Sequence, residues 1–210
     1  MKSIFEEEDE KISISDIRDS FNLVLMGDSS VGKTSILERY CNNFFKTEKC
    51  CRKTIEIYKK FISFSDYSYQ VKFWDAPNFM DNCNNSEINM FHNCDGIIYV
   101  CSYDSKDSLT HINTWYQFLT QYIDLSTKEM ILIINKKDLK EGKVITEEQI
   151  NKKSKDLQLD YYEISAKTGE NVNNSIKSII KKLVERCNER SRGSINNSSN
   201  EKEKGGCIII

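Results

Sequence analysis

The sequence predicts an α/β fold built on a mainly parallel β-sheet. Several short segments of the 210-residue chain are almost continuously apolar, as expected of strands that are covered on both faces. Segments with helical periodicity lie between them. Strands that alternate with helices of this length form βαβ units, in which the joined strands are parallel. We therefore expect the functional residues in the loops that follow the strands.

The predicted elements alternate along the chain. Strands are predicted over residues 21–26, 55–64, 69–74, 96–101, 130–134 and 161–164, the second and third forming a hairpin. Helices are predicted over residues 34–43, 107–122 and 172–187, and one more begins at Thr146, the expected N-cap. The apolar residues of 107–122 recur at the spacing of one helix face. They are Leu109, Ile112, Trp115, Tyr116 and Leu119.

Length and composition predict one domain with two tails. Residues 1–19 are expected to be an acidic flexible arm, 20–187 the folded domain, and 188–210 a disordered, polar tail. The net charge of -2 favours no nucleic-acid partner. Because the N-terminus lacks a signal-peptide pattern and no apolar run reaches the length of a membrane span, we expect a cytosolic protein with reduced cysteines.

A phosphate-binding loop follows the first predicted strand. The segment Gly27-Asp-Ser-Ser-Val-Gly-Lys-Thr34 matches G-x-x-x-x-G-K-T and lies between a strand and a helix, as that motif requires. Glycines allow the backbone N–H groups to approach phosphate oxygens, and the helix adds its positive N-terminus. Lys33 supplies charge to the β- and γ-phosphates, and the Thr34 hydroxyl can bind Mg²⁺. The predicted phosphate-binding residues are Ser29, Ser30, Val31, Gly32, Lys33, Thr34 and Ser35.

Two later loops predict guanine as the base. Asn135-Lys-Lys-Asp138 follows the fifth predicted strand, and Ser165-Ala-Lys167 follows the sixth. A carboxylate at Asp138 can accept hydrogen bonds from guanine N1–H and its 2-amino group, whereas adenine offers no such pair of donors. Asn135 can brace the loops, and the stem of Lys136 can cover the base. The order of the motifs, each after its own strand, supports this interpretation.

The chain resembles the Ras superfamily of small GTPases, and the Rab family most of all. The resemblance covers about residues 20–187 and the C-terminus. It rests on GDSSVGKTS, the Trp74-Asp75 pair, NKKD and SAK. It implies a small G-domain with a six-stranded, mostly parallel sheet and five helices. It also implies that Phe45 stacks on the guanine and that Ala166 offers its N–H to the base oxygen.

The same resemblance implies a membrane-associated switch in vesicle transport. Its GTP form recruits effectors, and its GDP form is extracted from the membrane into the cytosol. Mg²⁺ is the implied cofactor, with Thr34, Asp75 and Thr54 as its candidate ligands. The implied partners are effectors, an exchange factor, a GDP-dissociation inhibitor and an escort protein, and the protein is expected to be a monomer on the cytoplasmic face of an intracellular membrane.

The second switch departs from the family pattern W-D-T-A-G-Q-E. Here Asn78 replaces the glycine that touches the γ-phosphate, Pro77 stiffens the residue before it, and Phe79 replaces the glutamine that orients the attacking water. A phenyl ring cannot orient water. We therefore expect hydrolysis at or below about 10⁻⁴ per second, the unassisted rate of this class. The nearby amides that could substitute are Asn78, Asn82 and Asn84.

The first switch allows two alignments. Thr54 is followed by Ile55, as in the family's threonine-isoleucine pair, but an ungapped alignment on Lys33 and Asp75 puts Arg52 at that position. In the ungapped case, which we favour, the threonine is absent, and Arg52 or Lys53 could neutralise phosphate charge instead.

The C-terminus, Cys207-Ile-Ile-Ile210, has the form of a prenylation signal, with farnesyl and geranylgeranyl both open. A single lipid chain anchors weakly and reversibly.

The sequence leaves two alternatives to a GTP-dependent switch. One is a pseudo-GTPase, a membrane-anchored binding module that ignores the γ-phosphate. The other is a P-loop nucleotide kinase, which should bind ATP and which NKKD disfavours.

Overall fold

The computed structural model describes residues 17–47, 54–64, 67–76 and 85–200, with 85–86 and 191–200 described by their backbone alone. These residues contain six strands, five α-helices and one short 3₁₀ turn at Leu125–Thr127. The strands are β1 (Ile17–Met26), β2 (Glu56–Phe64), β3 (Tyr67–Asp75), β4 (Gly96–Ser102), β5 (Glu129–Asn135) and β6 (Asp160–Glu163). The helices are α1 (Lys33–Asn42), α2 (Asn85–Asn93), α3 (Lys106–Thr120), α4 (Glu147–Leu157) and α5 (Val172–Asn200).

The strands form one mixed sheet in the order β2-β3-β1-β4-β5-β6. Only β2 runs antiparallel to its neighbour, in the predicted hairpin with β3, and the other pairings of the described strands are parallel. The predicted α/β class and the six-stranded, five-helix architecture are therefore confirmed. Because the strand order reverses direction at β1, a crevice opens at the carboxyl ends of β1 and β4, where ligands bind in such sheets.

Two cores cover the two faces of the sheet. Successive residues of a strand point to opposite faces, so Leu23 and Leu25 of β1 enter one core while Val24 and Met26 enter the other. The first core includes residues of α1 and α5, and the second includes residues of α2, α3 and α4. All of β4 is buried, which explains its continuous apolar sequence.

Two boundaries and one helix differ from the sequence predictions. Strand β1 begins at Ile17, so its pairing with β3 reaches into the segment predicted as a flexible arm. Helix α5 continues past residue 187 to Asn200, because extending an established helix costs far less than starting one. Helix α2 was not predicted from periodicity. Its sequence, NSEINMFHN, has few apolar residues, and burial of Met90 and Phe91 in the second core stabilises it.

None of the helices among the described residues combines the length and the apolar composition needed to cross a bilayer. Residues 1–16 and 201–210 of the predicted arm and tail lie outside the described residues.

Candidate functional site

The phosphate-binding loop joins β1 to α1 through two glycines that no other residue could replace without strain. Gly27 has φ +148°, and a Cβ there would lie 2.1 Å from the Val100 carbonyl oxygen. Gly32 has φ +98°, and a Cβ there would lie 2.3 Å from Asn135 Nδ2. The loop therefore packs directly against β4 and against the end of β5.

Helix α1 presents its N-terminus to the crevice. Gly32 is its N-cap, so no side chain caps the helix, and no acidic residue occupies its first turn. The first amide in the helical hydrogen-bond ladder is Ile36 N–H, which donates to Gly32 O at 2.9 Å. The earlier amides, from Lys33 to Ser35, have no intrahelical acceptor and can bind an anion. Before them, Ser29 and Ser30 are exposed and Val31 is buried.

Lys33 is nearly buried, with 8% of its surface exposed. Its Nζ donates to Gly27 O at 2.6 Å and to Asp28 O at 2.9 Å, so the lysine ties the loop back on itself. Burial lowers the pKa of Lys33, and the negative charges of Asp75 and Asp28 partly oppose that shift. Because the site is buried, the charge of a protonated Lys33 is weakly screened, which strengthens its attraction to phosphate.

The hydroxyl of Thr34 and the carboxylate of Asp75 meet beside this loop. Thr34 Oγ1 donates to Asp75 Oδ2. Asp75 ends β3 opposite Leu25 of β1, and it is 5% exposed. A hydroxyl oxygen and a carboxylate oxygen in contact form a donor set that suits a hard divalent cation.

Asn135 joins three loops through one side chain. Its Nδ2 donates to Val31 O at 2.9 Å, and its Oδ1 accepts from Ala166 N–H at 3.0 Å. The amide is 2% exposed, so both of its polar ends are satisfied inside the protein. The phosphate loop and the two loops predicted to bind the base are thereby held as one unit.

Asp138 lies three residues beyond the end of β5, and its carboxylate contacts the loop that contains Ser165. Ser165 Oγ donates to Asp138 Oδ1 at 2.6 Å, and Lys167 Nζ lies 4.0 Å from Oδ2. Ser165 is fully buried, and its Oγ also accepts from Thr168 N–H at 3.1 Å. A carboxylate has about four lone-pair positions, so these contacts leave acceptor capacity for a ligand.

Comparison with known proteins decides the family. The sequence model of the Ras family matches residues 22–185. The chain is 30% identical to the Ras-related protein RabF1 of Dictyostelium discoideum, over 90% of this chain and 95% of that protein. It is 28% identical to RabG2 of the same organism, over 79% and 83% of the two chains. It is 25% identical to bovine Ras-related protein Rab-27B, over 87% and 90%.

The chain belongs to the Ras family. Within the family it is a Rab-like small GTPase, since the similar proteins above carry Rab names. It is accordingly a GTP-binding switch of the kind that acts in vesicle traffic. The P-loop, NKKD and SAK segments, identified from spacing, lie at one end of the sheet of this Rab-like GTPase.

Sequence reasoning missed Arg39, which holds the SAK loop of the Rab-like domain. From α1, Arg39 Nε donates to Ala166 O at 3.0 Å, and Nη2 donates to Lys167 O at 2.9 Å. Its Nη1 also bonds the carbonyl and side-chain oxygens of Asn43, where α1 ends. No spacing rule could reveal a contact between residues 127 positions apart.

Three other predicted site residues occupy defined positions. Phe45 is half-buried and packs against the first core. Lys136 has a left-handed backbone, with φ +66°, and its Nζ lies 2.8 Å from Asp104 Oδ2. Thr54 is exposed just before β2, whose first residue, Glu56, pairs with Asp75. Thr54 therefore lies near the Asp75 end of the sheet.

Several predictions fall on residues outside the described ranges. They concern Arg52, Lys53, Pro77, Asn78, Phe79, Asn82, Asn84 and Cys207. The two alignments of the first switch and the effect of the second-switch substitutions stay predictions.

The Ala166 N–H that is predicted to meet the base oxygen already donates to Asn135 Oδ1. With a base bound, this N–H would have to share its hydrogen between the two acceptors.

Proposed function

We propose that this Rab-like protein binds GTP and GDP in the crevice between the P-loop and the NKKD and SAK loops, and that its GTP hydrolysis is weakened. The observation that carries the proposal is the Asp138 carboxylate, held by Ser165 in a loop that Asn135 ties to the phosphate cradle. Hydrogen bonds thus connect the loop proposed to bind the base with the loop proposed to bind the phosphates. A single ligand that carries both a base and phosphate groups fits such a site.

Guanine is the base that this arrangement favours. A carboxylate accepts hydrogen bonds but cannot donate them, so it pairs with the N1–H and 2-amino donors of guanine. Adenine offers no such pair of donors, so the acceptor positions of Asp138 that face the base would stay unfilled, which costs about 1–3 kcal/mol or more for a charged group. In this proposal the aliphatic stem of Lys136 covers the base, and the ring of Phe45 stacks on the base.

The phosphates bind the amides of the loop and Lys33. The residues that would hold Mg²⁺ are Thr34, through its hydroxyl, and Asp75, through a bound water, with Thr54 as a further candidate. When bound, the ion neutralises charge on the β- and γ-phosphates. Lys33 and Thr34 contribute to catalysis in this proposal by stabilising phosphate charge, and Asp75 keeps the Thr34 hydroxyl oriented.

Weakened hydrolysis follows from the second switch. Phe79 has no group that could hydrogen-bond an attacking water, and Asn78 replaces a glycine at the γ-phosphate contact. Nucleotide affinity depends on other residues and is retained. We expect intrinsic hydrolysis at or below about 10⁻⁴ per second and little response to accelerator proteins, since they act by positioning that water.

The membrane role rests on the C-terminal sequence and on the family. Cys207 is the proposed prenylation site, and one lipid chain gives reversible binding to the cytoplasmic face of an intracellular membrane. Effectors, an exchange factor, a GDP-dissociation inhibitor and an escort protein complete the proposed cycle.

The test is chromatography of the nucleotide released when freshly purified protein is denatured. We expect guanine nucleotide, with GTP making up a larger share than in a matched Phe79→Gln variant. Release of adenine nucleotide, or protein that binds neither GDP nor GTP after reloading, would contradict guanine binding. Single-turnover hydrolysis at equal loading tests the other half. Equal rates in the wild type and Phe79→Gln would show that residue 79 does not limit hydrolysis.

A pseudo-GTPase is the second candidate, favoured by the same substitutions at Asn78 and Phe79. It would bind nucleotide without changing shape between the two forms. Amide hydrogen exchange of residues 74–85, compared in GDP and in a non-hydrolysable GTP analogue, separates the candidates. Equal exchange supports the binding module, and slower exchange with the GTP analogue supports the switch.

A further inference from the structure

Helix α3 contacts the phosphate loop through two side chains one helical turn apart. His111 Nδ1 lies 2.7 Å from Asp28 Oδ2, and Trp115 Nε1 donates to Asp28 Oδ1 at 3.4 Å. Because the carboxylate can only accept, His111 Nδ1 carries the hydrogen in this contact. Residues spaced by four lie on one face of a helix, so α3 holds both oxygens of a single P-loop carboxylate.

Asp28 also connects this contact to the lysine that faces the phosphates. The carbonyl of Asp28 accepts from Lys33 Nζ, while its carboxylate is held by α3. A shift of Asp28 would therefore move an acceptor of Lys33 and the backbone between the two strained glycines. Trp115 is 1% exposed and anchored in the second core, whereas 45% of the His111 side chain is exposed.

The negative charge of the Asp28 carboxylate would repel a phosphate bound in the same loop. A negative charge in the loop repels an anionic ligand, unless nearby donors orient it away or compensate its charge. The two N–H groups of α3 hold both oxygens of this carboxylate, which fixes its position and stabilises its charge. The nucleotide-binding shape of the loop thus depends on a helix that lies outside the four sequence motifs.

We propose that His111, braced by Trp115, is a positioning residue that fixes Asp28 and thereby slows the release of bound nucleotide. This proposal rests on guanine-nucleotide binding as the function of the site. His111 touches neither the base nor the phosphates in it. It acts through Asp28 on the conformation of the loop.

The experiment measures GDP release from the full chain. Each variant is loaded with a fluorescent GDP analogue, and its dissociation rate is followed after excess GDP is added. We expect His111→Ala to release the analogue about three- to tenfold faster, the effect of losing one partly exposed, charge-assisted hydrogen bond. Asn113→Ala, an exposed change on the same helix, is the matched control and should leave the rate unchanged.

A conservative variant separates positioning from packing. Asn places an amide nitrogen at nearly the position of the histidine Nδ1, so His111→Asn should keep the rate within about twofold of the wild type. If His111→Asn releases GDP as fast as His111→Ala, the ring's bulk and not the bond to Asp28 matters, and the proposal is wrong. An unchanged rate in His111→Ala overturns it as well.

A double-mutant cycle with Asp28→Ala gives a second check, and His111→Asn serves if His111→Ala folds poorly. Adding His111→Ala to Asp28→Ala should produce less acceleration than it does in the wild type, because the two changes remove one interaction. Full additivity would overturn the proposal. Wild-type protein that binds no guanine nucleotide would instead contradict the proposed function, so the two failures are distinguishable.

Discussion

The two ends of the parallel strands use polar residues in opposite ways. At the carboxyl end, several polar side chains are buried, and each of these has a hydrogen-bond partner, as in Lys33, Asp75, Asn135 and Ser165. At the amino end, the charged side chains are partly or fully exposed. Lys182 Nζ, for example, lies 2.6 Å from Asp160 Oδ2, with 37% and 62% of the two side chains exposed.

This difference teaches where the sequence is constrained. A buried polar group that loses its partner costs about 1–3 kcal/mol, whereas an exposed ion pair contributes about 0–1 kcal/mol. Changes at the carboxyl end should therefore damage both stability and ligand binding, and changes at the amino end should do little. The predictions below test that contrast, beginning with the largest effect.

Asp138→Ala should lower GDP affinity about a hundredfold or more, since it removes the two hydrogen bonds that guanine is proposed to donate to this carboxylate, at about 1.5–3 kcal/mol each. Isothermal titration of nucleotide-free protein measures the affinity. Asp160→Ala removes a carboxylate from the amino end and is the control, with no change expected. A comparable loss in both variants would break the contrast between the two ends.

Asn135→Ala should lower the free energy of unfolding by about 2–5 kcal/mol, because it leaves the Val31 carbonyl and the Ala166 N–H without their buried partner. Urea unfolding of the nucleotide-free protein measures it. The exposed Asn113→Ala gives the baseline for the same change of residue. A loss under about 1 kcal/mol would mean that the loops satisfy their polar groups without this bridge.

Arg39→Ala should release GDP about tenfold faster, since two donors to the carbonyls of the SAK loop are lost for roughly 1.4 kcal/mol. Arg39→Lys should recover only part of the effect, because an ammonium cannot reproduce the planar fork of a guanidinium. Stopped-flow release kinetics measure all three proteins. Full recovery by lysine would show that charge alone is sufficient.

Lys182→Ala should have the smallest effect, less than about 1 kcal/mol in the free energy of unfolding, because its ion pair with Asp160 is exposed. GDP release should not change. Urea unfolding at low and at high salt makes the test stricter, since screening should erase even this small difference. A larger loss in the free energy of unfolding that does not depend on salt would show that this ion pair at the amino end is important for stability.

The parts that could be predicted from the sequence depend on local patterns. Strands β4 and β5 are apolar because both of their faces are covered, and the P-loop glycines are required by a backbone that leaves no room for Cβ. Thr146 forms the expected cap, and its hydroxyl accepts from Gln149 N–H at 3.3 Å. The sequence pattern that reveals each of these features lies within a few neighbouring residues.

The remaining features depend on contacts between distant segments. Helix α2 is stabilised by burial of Met90 and Phe91 and not by its own helix propensity. His111 and Asp28 are 83 residues apart, and nothing in their spacing marks the pair. The roles of Asp138 and Asn135 could be inferred only because their loop motif is recognisable, while Arg39 belongs to no motif.

The Asn135 bridge also governs when the protein can first hold its ligand. Asn135 bonds a carbonyl 104 residues earlier in the chain and an amide 31 residues later. During synthesis, the phosphate loop emerges long before the base-binding loops, so a growing chain has no complete pocket. Ligand binding stabilises only the folded state. Nucleotide binding can therefore stabilise the completed domain, but it cannot help the N-terminal part of a growing chain to fold.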